Sequence, residues 1–172
     1  MSSRLGLNLL LFGLACILGV IVFWEINDSK SENPTLLNID SRSINRIEIQ
    51  RKGKTSLVLE KTSGTWMITT PIQEPANSNR VDELLKIAHS KSLVQYTVTP
   101  EDLKKFGLNP PKATLILNNK ALHFGDVDPL KMRRYGLDGQ TLHLVNNNFY
   151  HLLIAVPKHY AAAKQTNISA KP

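Results

Sequence analysis

The stretch RIEIQRKGKTSLVLEKTSGTWMITTP, residues 46–71, decides the fold of this sequence. Apolar side chains alternate with polar ones, as at Ile47 and Ile49, which is the period of a half-buried β-strand. Ser63-Gly64 is typical of a tight turn, and Pro71 ends the last run because proline donates no hydrogen bond to a neighbouring strand. Three strand-forming runs joined by short turns predict an antiparallel meander.

Helices and further strands are predicted after this meander. Asn77 or Ser78 caps one helix, Thr99-Pro100 begins another that ends at Gly107, and the residues after Asn146 form a last short helix. Strand patterns cover residues 93–98, 113–117, 121–124, 132–135 and 141–145. Together these elements predict an α+β domain, a mostly antiparallel sheet with two or three short helices.

An apolar segment precedes this domain. Residues 5–24, LGLNLLLFGLACILGVIVFW, contain sixteen apolar residues and no charge. A twenty-residue helix spans about 30 Å, the thickness of a bilayer's hydrocarbon core, so the pattern predicts a single transmembrane helix. Arg4 lies before this segment and Glu25 and Asp28 follow it, which predicts a cytoplasmic N-terminus and a periplasmic or extracellular C-terminal domain at a bacterial inner membrane.

The predicted organisation has four parts. Residues 1–26 form an N-terminal cytoplasmic stub and the transmembrane helix, 27–38 a polar tether, 39–160 the α+β domain, and 161–172 a flexible tail. The chain has 172 residues, a formal net charge of +7 and a single cysteine. One cysteine excludes a disulfide scaffold and a four-cysteine zinc site, and the length excludes a large barrel enzyme.

Several short motifs resemble one known family, the DUF4340 domain. The matching segments are RIEI at 46–49, LEKTSGTWMITTP at 59–71, RVDELL at 80–85, KKFGLNPPKATLIL at 104–117, HFGDVDP at 123–129 and RRYGLDGQTLHLV at 133–145. The resemblance extends from about residue 44 to about residue 153. It implies a membrane-associated bacterial domain of unknown activity, and an accessory role in an envelope or ABC-type transport system. It supplies no catalytic residue to transfer.

The motif residues themselves are predicted to be structural. Gly64, Gly107 and Gly125 are expected to be turn glycines with positive φ, whereas Trp66 and the phenylalanines that precede two of these glycines are expected to anchor the core.

The sequence contains little that indicates catalysis. A serine nucleophile elbow, a phosphate-binding loop and a dinucleotide fingerprint are all missing from it, so no catalytic residue, metal or cofactor is predicted. An enzyme acting on an envelope polymer is the rival interpretation, with Asp126, Asp128 and His123 as its candidate residues. His123 and His143 each lie between apolar residues, so both are expected to point away from the core.

Basic residues near two turns are the candidate ligand-binding residues. They are Arg51 and Lys52 in one place and Arg133 and Arg134 in another. If one face carries all four, they would bind an anionic polymer or lipid headgroups. The predicted location argues against nucleic acid as a partner.

The leading functional hypothesis is a non-catalytic one. An anchor followed by a compact domain with structural motifs predicts a membrane-anchored extracytoplasmic binding or scaffold domain. Its expected partners are the lipid bilayer, through residues 5–24, and another envelope protein.

Overall fold

A computed structural model describes residue 6 and residues 11–20, 34–130 and 132–163. The chain divides into two units, Met1–Pro34 and Thr35–Pro172. In the first unit residues 11–20 are helical. No helix among the described residues is both long enough and apolar enough to cross a bilayer.

The predicted fold class is therefore wrong in its membrane-spanning helix over residues 5–24. The prediction counted apolar residues in a window of sequence, whereas a span also requires one long continuous helix, and the described residues include none that qualifies. The rest of that segment, residues 27–33 of the predicted tether and residues 164–172 of the predicted tail lie outside the described residues.

The second unit contains a nine-stranded antiparallel sheet and few helices. The strands are β1 (Arg46–Arg51), β2 (Lys54–Thr62), β3 (Thr65–Thr70), β4 (Glu74–Pro75), β5 (Val94–Thr97), β6 (Ala113–Leu117), β7 (Lys120–Val127), β8 (Arg133–Asp138) and β9 (Thr141–Asn146). Their order across the sheet is β4-β3-β2-β1-β6-β7-β8-β9-β5. Two α-helices, α1 (Ser78–Ala88) and α2 (Tyr150–Ile154), accompany it. The coarse description α+β fits this arrangement.

Four short 3-10 helices lie among the described residues of this unit. They are η1 (Ser41–Ser43), η2 (Pro100–Phe106), η3 (Asn147–Phe149) and η4 (Pro157–Tyr160).

One face of the sheet carries the main hydrophobic core. Ile47 lies opposite Leu59 on β2 and Leu117 on β6, so the three side chains share this face, and all are fully buried. Helix α1 covers it with one apolar stripe, and the Asn77 side chain caps α1 by accepting hydrogen bonds from two backbone N–H groups. Leu36 and Leu37, in the stretch predicted as a tether, are buried in the same core.

The opposite face carries a smaller cluster at one end. Leu137 of β8 and Leu142 of β9 pack there with Leu108, and η2 covers them. Because η2 is only seven residues long, it covers part of this face and leaves the rows next to β5 open.

The two edges of the sheet differ in strand length and in whether another segment pairs with them. β4 has two residues, one of them Pro75, and the segment around Ala161 and Ala162 pairs with this edge. β5 forms the other edge, and within the described sheet its strand partner is β9 alone.

Candidate functional site

The partly open face holds an apolar groove, which we call the β5 groove. Its volume is about 570 Å³, within the range of ligand-binding clefts. Apolar and aromatic side chains line most of it, namely Val94, Tyr96, Val98, Phe106, Tyr135, Leu142 and Leu144. Its charged lining residues are Asp102, Lys105, Asp128 and Arg133.

Strand alternation explains how the sequence builds this groove. Val94 and Tyr96 point to the same face as Leu142 and Leu144, because Tyr96 lies opposite Leu142 and Val94 opposite Leu144 in the β5–β9 register. The facing wall comes from η2, whose Phe106 ring packs against Tyr135 with 4.9 Å between ring centroids. Tyr96 is 56 % exposed, so an aromatic ring at the groove is open to a ligand.

The charged residues around the β5 groove differ in whether they have an ion-pair partner. Lys105 Nζ lies 2.7 Å from Asp102 Oδ1, and this hydrogen bond, with one from Thr99, holds the pKa of Asp102 below its usual range. Burial raises the pKa of the Tyr135 phenol, and the nearby Asp128 and Tyr96 raise it further. The described part of the chain gives Arg133 no ion-pair partner, so its guanidinium is a free cation at this groove.

A second cleft adjoins the first and shares Lys105 and Tyr135 with it. This Arg134 cleft has a volume of about 590 Å³, and its other lining residues are Lys112, Asp126, Val127, Pro129, Arg134 and Tyr150. Lys112 Nζ pairs with Asp126 Oδ1 at 2.9 Å. Of the charged groups of this cleft, Lys112 and Asp126 therefore engage each other.

Arg134 is almost fully buried and is held from three sides. Its Nη1 donates to the carbonyl oxygen of Gly125, its Nε donates to Asn147 Oδ1 at 2.7 Å, and its guanidinium carbon lies 3.3 Å from the centre of the Tyr150 ring. Burial lowers the pKa of Arg134, although Tyr150 and Asp126 act in the opposite direction. These contacts connect β7, β8 and the start of α2, so Arg134 is an internal cross-link.

The FGL and FGD segments of the sequence motifs pack against each other. Gly107 ends η2 in the left-handed region, with φ of 66°, and a Cβ there would overlap the Asp126 carboxylate. A Cβ on Gly125 would overlap the carbonyl oxygen of Phe106. Positive φ is confirmed for Gly107 and for Gly64 but was wrong for Gly125, where close backbone approach is what excludes a side chain.

The four basic residues predicted to bind an anion are not brought together. Arg51 Nη1 donates to the carbonyl oxygens of Ile154 and Ala155 at 3.0 and 2.9 Å, at the C-terminus of α2. Lys52 is exposed in the turn between β1 and β2. β6 and β7 separate this turn from β8. Arg133 and Arg134, adjacent in one strand, point to opposite faces of the sheet. Ligand binding by these residues stays a prediction.

The rival catalytic candidates have separate local partners. His123 Nδ1 lies 3.0 Å from Thr114 Oγ1, and burial lowers the pKa of this imidazole. Asp126 is paired with Lys112, and Asp128 Oδ1 accepts the backbone N–H of Leu130 in a turn. No three or more His, Cys, Asp or Glu residues of the described segments lie close enough to hold a metal ion.

Both strand histidines were predicted to point away from the core, and this prediction was wrong for one of them. His143 is 3 % exposed on the main-core side of β9 and bonds Ser92 Oγ at 3.0 Å, so the prediction that it points away from the core was wrong. Strand β8 lies between His143 and His123 in the sheet. A serine partner explains how a polar ring is accommodated there.

Of the residues that line the β5 groove, sequence reasoning named Arg133 and Asp128 as candidate site residues, but it proposed no binding role for the apolar and aromatic ones. A usable signal was present in β9, where Leu142, Leu144 and Val145 place apolar side chains on both faces of one strand. An apolar residue on each face indicates that both faces need cover, and only part of the second face has it.

The fold and its clefts indicate what kind of domain this is. The folded unit is an antiparallel β-sheet domain with an aromatic groove at one edge, and its titratable groups are dispersed among local contacts. The chain belongs to the family described as "Domain of unknown function (DUF4340)", whose profile matches residues 66–168, more than half of the chain. This confirms the resemblance; β1 and β2 precede the matched region. Comparisons with curated proteins and with solved structures gave no match.

Proposed function

We propose that this domain is a non-catalytic binding domain for another protein, and that the β5 groove is its binding surface. The observation that carries the proposal is an open apolar groove at which Tyr96 is exposed and which Arg133 lines without an ion-pair partner among the described residues. Aromatic residues and arginine are enriched where proteins bind one another, because both combine a large contact area with a polar group.

The two rival functions receive less support from the geometry. A hydrolytic enzyme needs its acid, base or nucleophile to converge on one substrate atom. His123, Asp126 and Asp128 instead contact Thr114, Lys112 and their own turn. An anionic-polymer binder needs a continuous basic face. The guanidinium groups of Arg51 and Arg134 instead donate hydrogen bonds to carbonyl and amide oxygens inside the domain.

The cellular setting stays a prediction. The extracytoplasmic location and the accessory role in an envelope or ABC-type transport system are consistent with a protein-binding domain. Fractionation of cells, followed by protease treatment of the intact compartment, tests the location independently of the groove.

The experiment compares a groove variant with a matched surface variant of the full chain. Tyr96→Ser removes a ring that is 56 % exposed, and Ile154→Ser removes an apolar side chain on α2 that is 52 % exposed. Both positions are open enough that folding is retained, which circular dichroism checks. Tagged wild type and both variants are used to capture partners from cell extract after lysine cross-linking, with quantitative mass spectrometry.

We expect at least one protein whose recovery falls about tenfold with Tyr96→Ser and stays unchanged with Ile154→Ser. Its cross-links should map to Lys105, the lysine that lines the groove. If every captured protein responds equally to the two substitutions, the groove is not the binding surface and the proposal is wrong.

A further inference from the structure

Within the described residues, strand β5 is an unprotected sheet edge. Natural sheets block their edges with proline, charged residues, very short strands or a covering segment, because an open edge pairs with other chains. β4 uses proline, shortness and a covering segment. β5 has the sequence Val-Gln-Tyr-Thr, with neither charge nor proline, and Gln95, Tyr96 and Thr97 are exposed. The contrast indicates an edge that is kept available.

The backbone of β5 offers a strand-pairing pattern on its outer side. Val98 N–H donates to the Gln140 carbonyl at 3.0 Å. This bond determines which residues of β5 direct their backbone N–H and C=O groups toward β9. Hydrogen-bonding directions alternate along an antiparallel strand, so the N–H and C=O groups of Gln95 and Thr97 point away from β9. Within the described residues, no other group bonds to these four atoms. They form two donor–acceptor pairs with the spacing that an added strand requires.

The β5 groove lies beside this edge on one face. A strand added to β5 would lie about 4.8 Å away, so its side chain opposite Tyr96 would contact the Tyr96 ring. Val94 and Val98, two residues to either side of Tyr96, extend this apolar row. The best-fitting side chain at that position is large and apolar, since no charge lies on β5 itself.

We propose that β5 is a docking strand for an extended segment of a partner protein, which adds to the sheet edge and packs a large apolar side chain against Tyr96. This rests on the proposed function, because the added segment uses the wall of the same groove. A second copy of the chain is a poorer occupant: pairing two four-residue strands buries much less than the roughly 1,200 Å² of a stable interface. A flexible segment can follow the edge and fill the groove at once.

A library of random twelve-residue peptides displayed on phage, selected against the full chain, supplies the probe. Affinities of the selected peptides are then measured by fluorescence anisotropy. Thr97→Pro removes the outward N–H together with the threonine side chain, a change that edge strands tolerate, whereas Thr97→Ala keeps that N–H and removes only the side chain beyond Cβ. A peptide N-methylated at the residue that pairs with β5 blocks the same hydrogen bonds on unaltered protein.

The expected peptides alternate polar and apolar residues around a large apolar one. Thr97→Pro and peptide N-methylation should each weaken binding about tenfold, and Thr97→Ala should change it by less than about threefold. If Tyr96→Ser abolishes binding while Thr97→Pro does not weaken it, the groove binds ligands but strand addition is wrong. Strand addition also fails if no peptide is selected, or if the chain self-associates and Thr97→Pro abolishes this.

Discussion

Replacing Arg134 with methionine should destabilise the domain by about 3 kcal/mol. The change removes a charged donor from the Gly125 carbonyl and from Asn147 Oδ1, and removes a cation from the face of Tyr150. Hydrogen bonds to charged groups contribute about 1.5–3 kcal/mol each, and a partly desolvated cation–π contact about 1–2 kcal/mol. The simple sum is about 4–8 kcal/mol. Because methionine keeps the apolar stem and neighbouring contacts are not additive, the expected loss of about 3 kcal/mol is set below that sum.

Urea unfolding followed by the fluorescence of the buried Trp66 measures this loss. With a urea dependence of about 1.5 kcal/mol per M, the midpoint should fall by about 2 M. Arg133→Met is the matched control, because Arg133 is the next residue on the same strand, faces the β5 groove and should change stability by less than about 0.5 kcal/mol. The reasoning is refuted if the two variants unfold at the same urea concentration.

Two further predictions concern close packing and burial. Gly125→Ala should cost about 3 kcal/mol in urea unfolding because its Cβ would overlap the Phe106 carbonyl, whereas Gly136→Ala, whose nearest atoms are 3.6 Å away, should cost under about 1 kcal/mol; equal losses would contradict this. Burial lowers the pKa of His143 in the folded state. On acidification the unfolded state therefore takes up this proton at a higher pH than the folded state does, and stability should fall as the pH drops below about 6.5. His143→Asn should make the fall in urea midpoint between pH 7.5 and 5.5 shallower, and an unchanged slope would show that His143 does not contribute.

Local sequence patterns predicted the elements well because their causes are local. Alternation placed β1, β6 and β9 within a residue or two, the Asn77 cap marked the start of α1, and Gly107 ended η2. Each signal lies within a few residues of the feature it predicts. The family motifs can also be recognised from the sequence, although the contacts that they make cannot.

Sheet order and side-chain burial required information that the local patterns lack. β5 pairs with β9, which follows it by more than forty residues, so local patterns do not show that these two strands share the groove. Arg133 and Arg134 are identical neighbours, and only strand register decides that one is buried and the other faces the groove.

The family motifs and the β5 groove are parts of one arrangement. Gly125 receives the backbone of Phe106 at close range, and this contact fixes the end of η2 against β7. The same turn places Phe106 and Lys105 at the groove. The motif segments thus build the wall on the η2 side and the β9 floor, while Val94, Tyr96 and Val98 of the opposite wall lie outside every motif segment. A ligand docked on β5 would therefore contact motif residues on one side of the groove and residues outside the motif segments on the other.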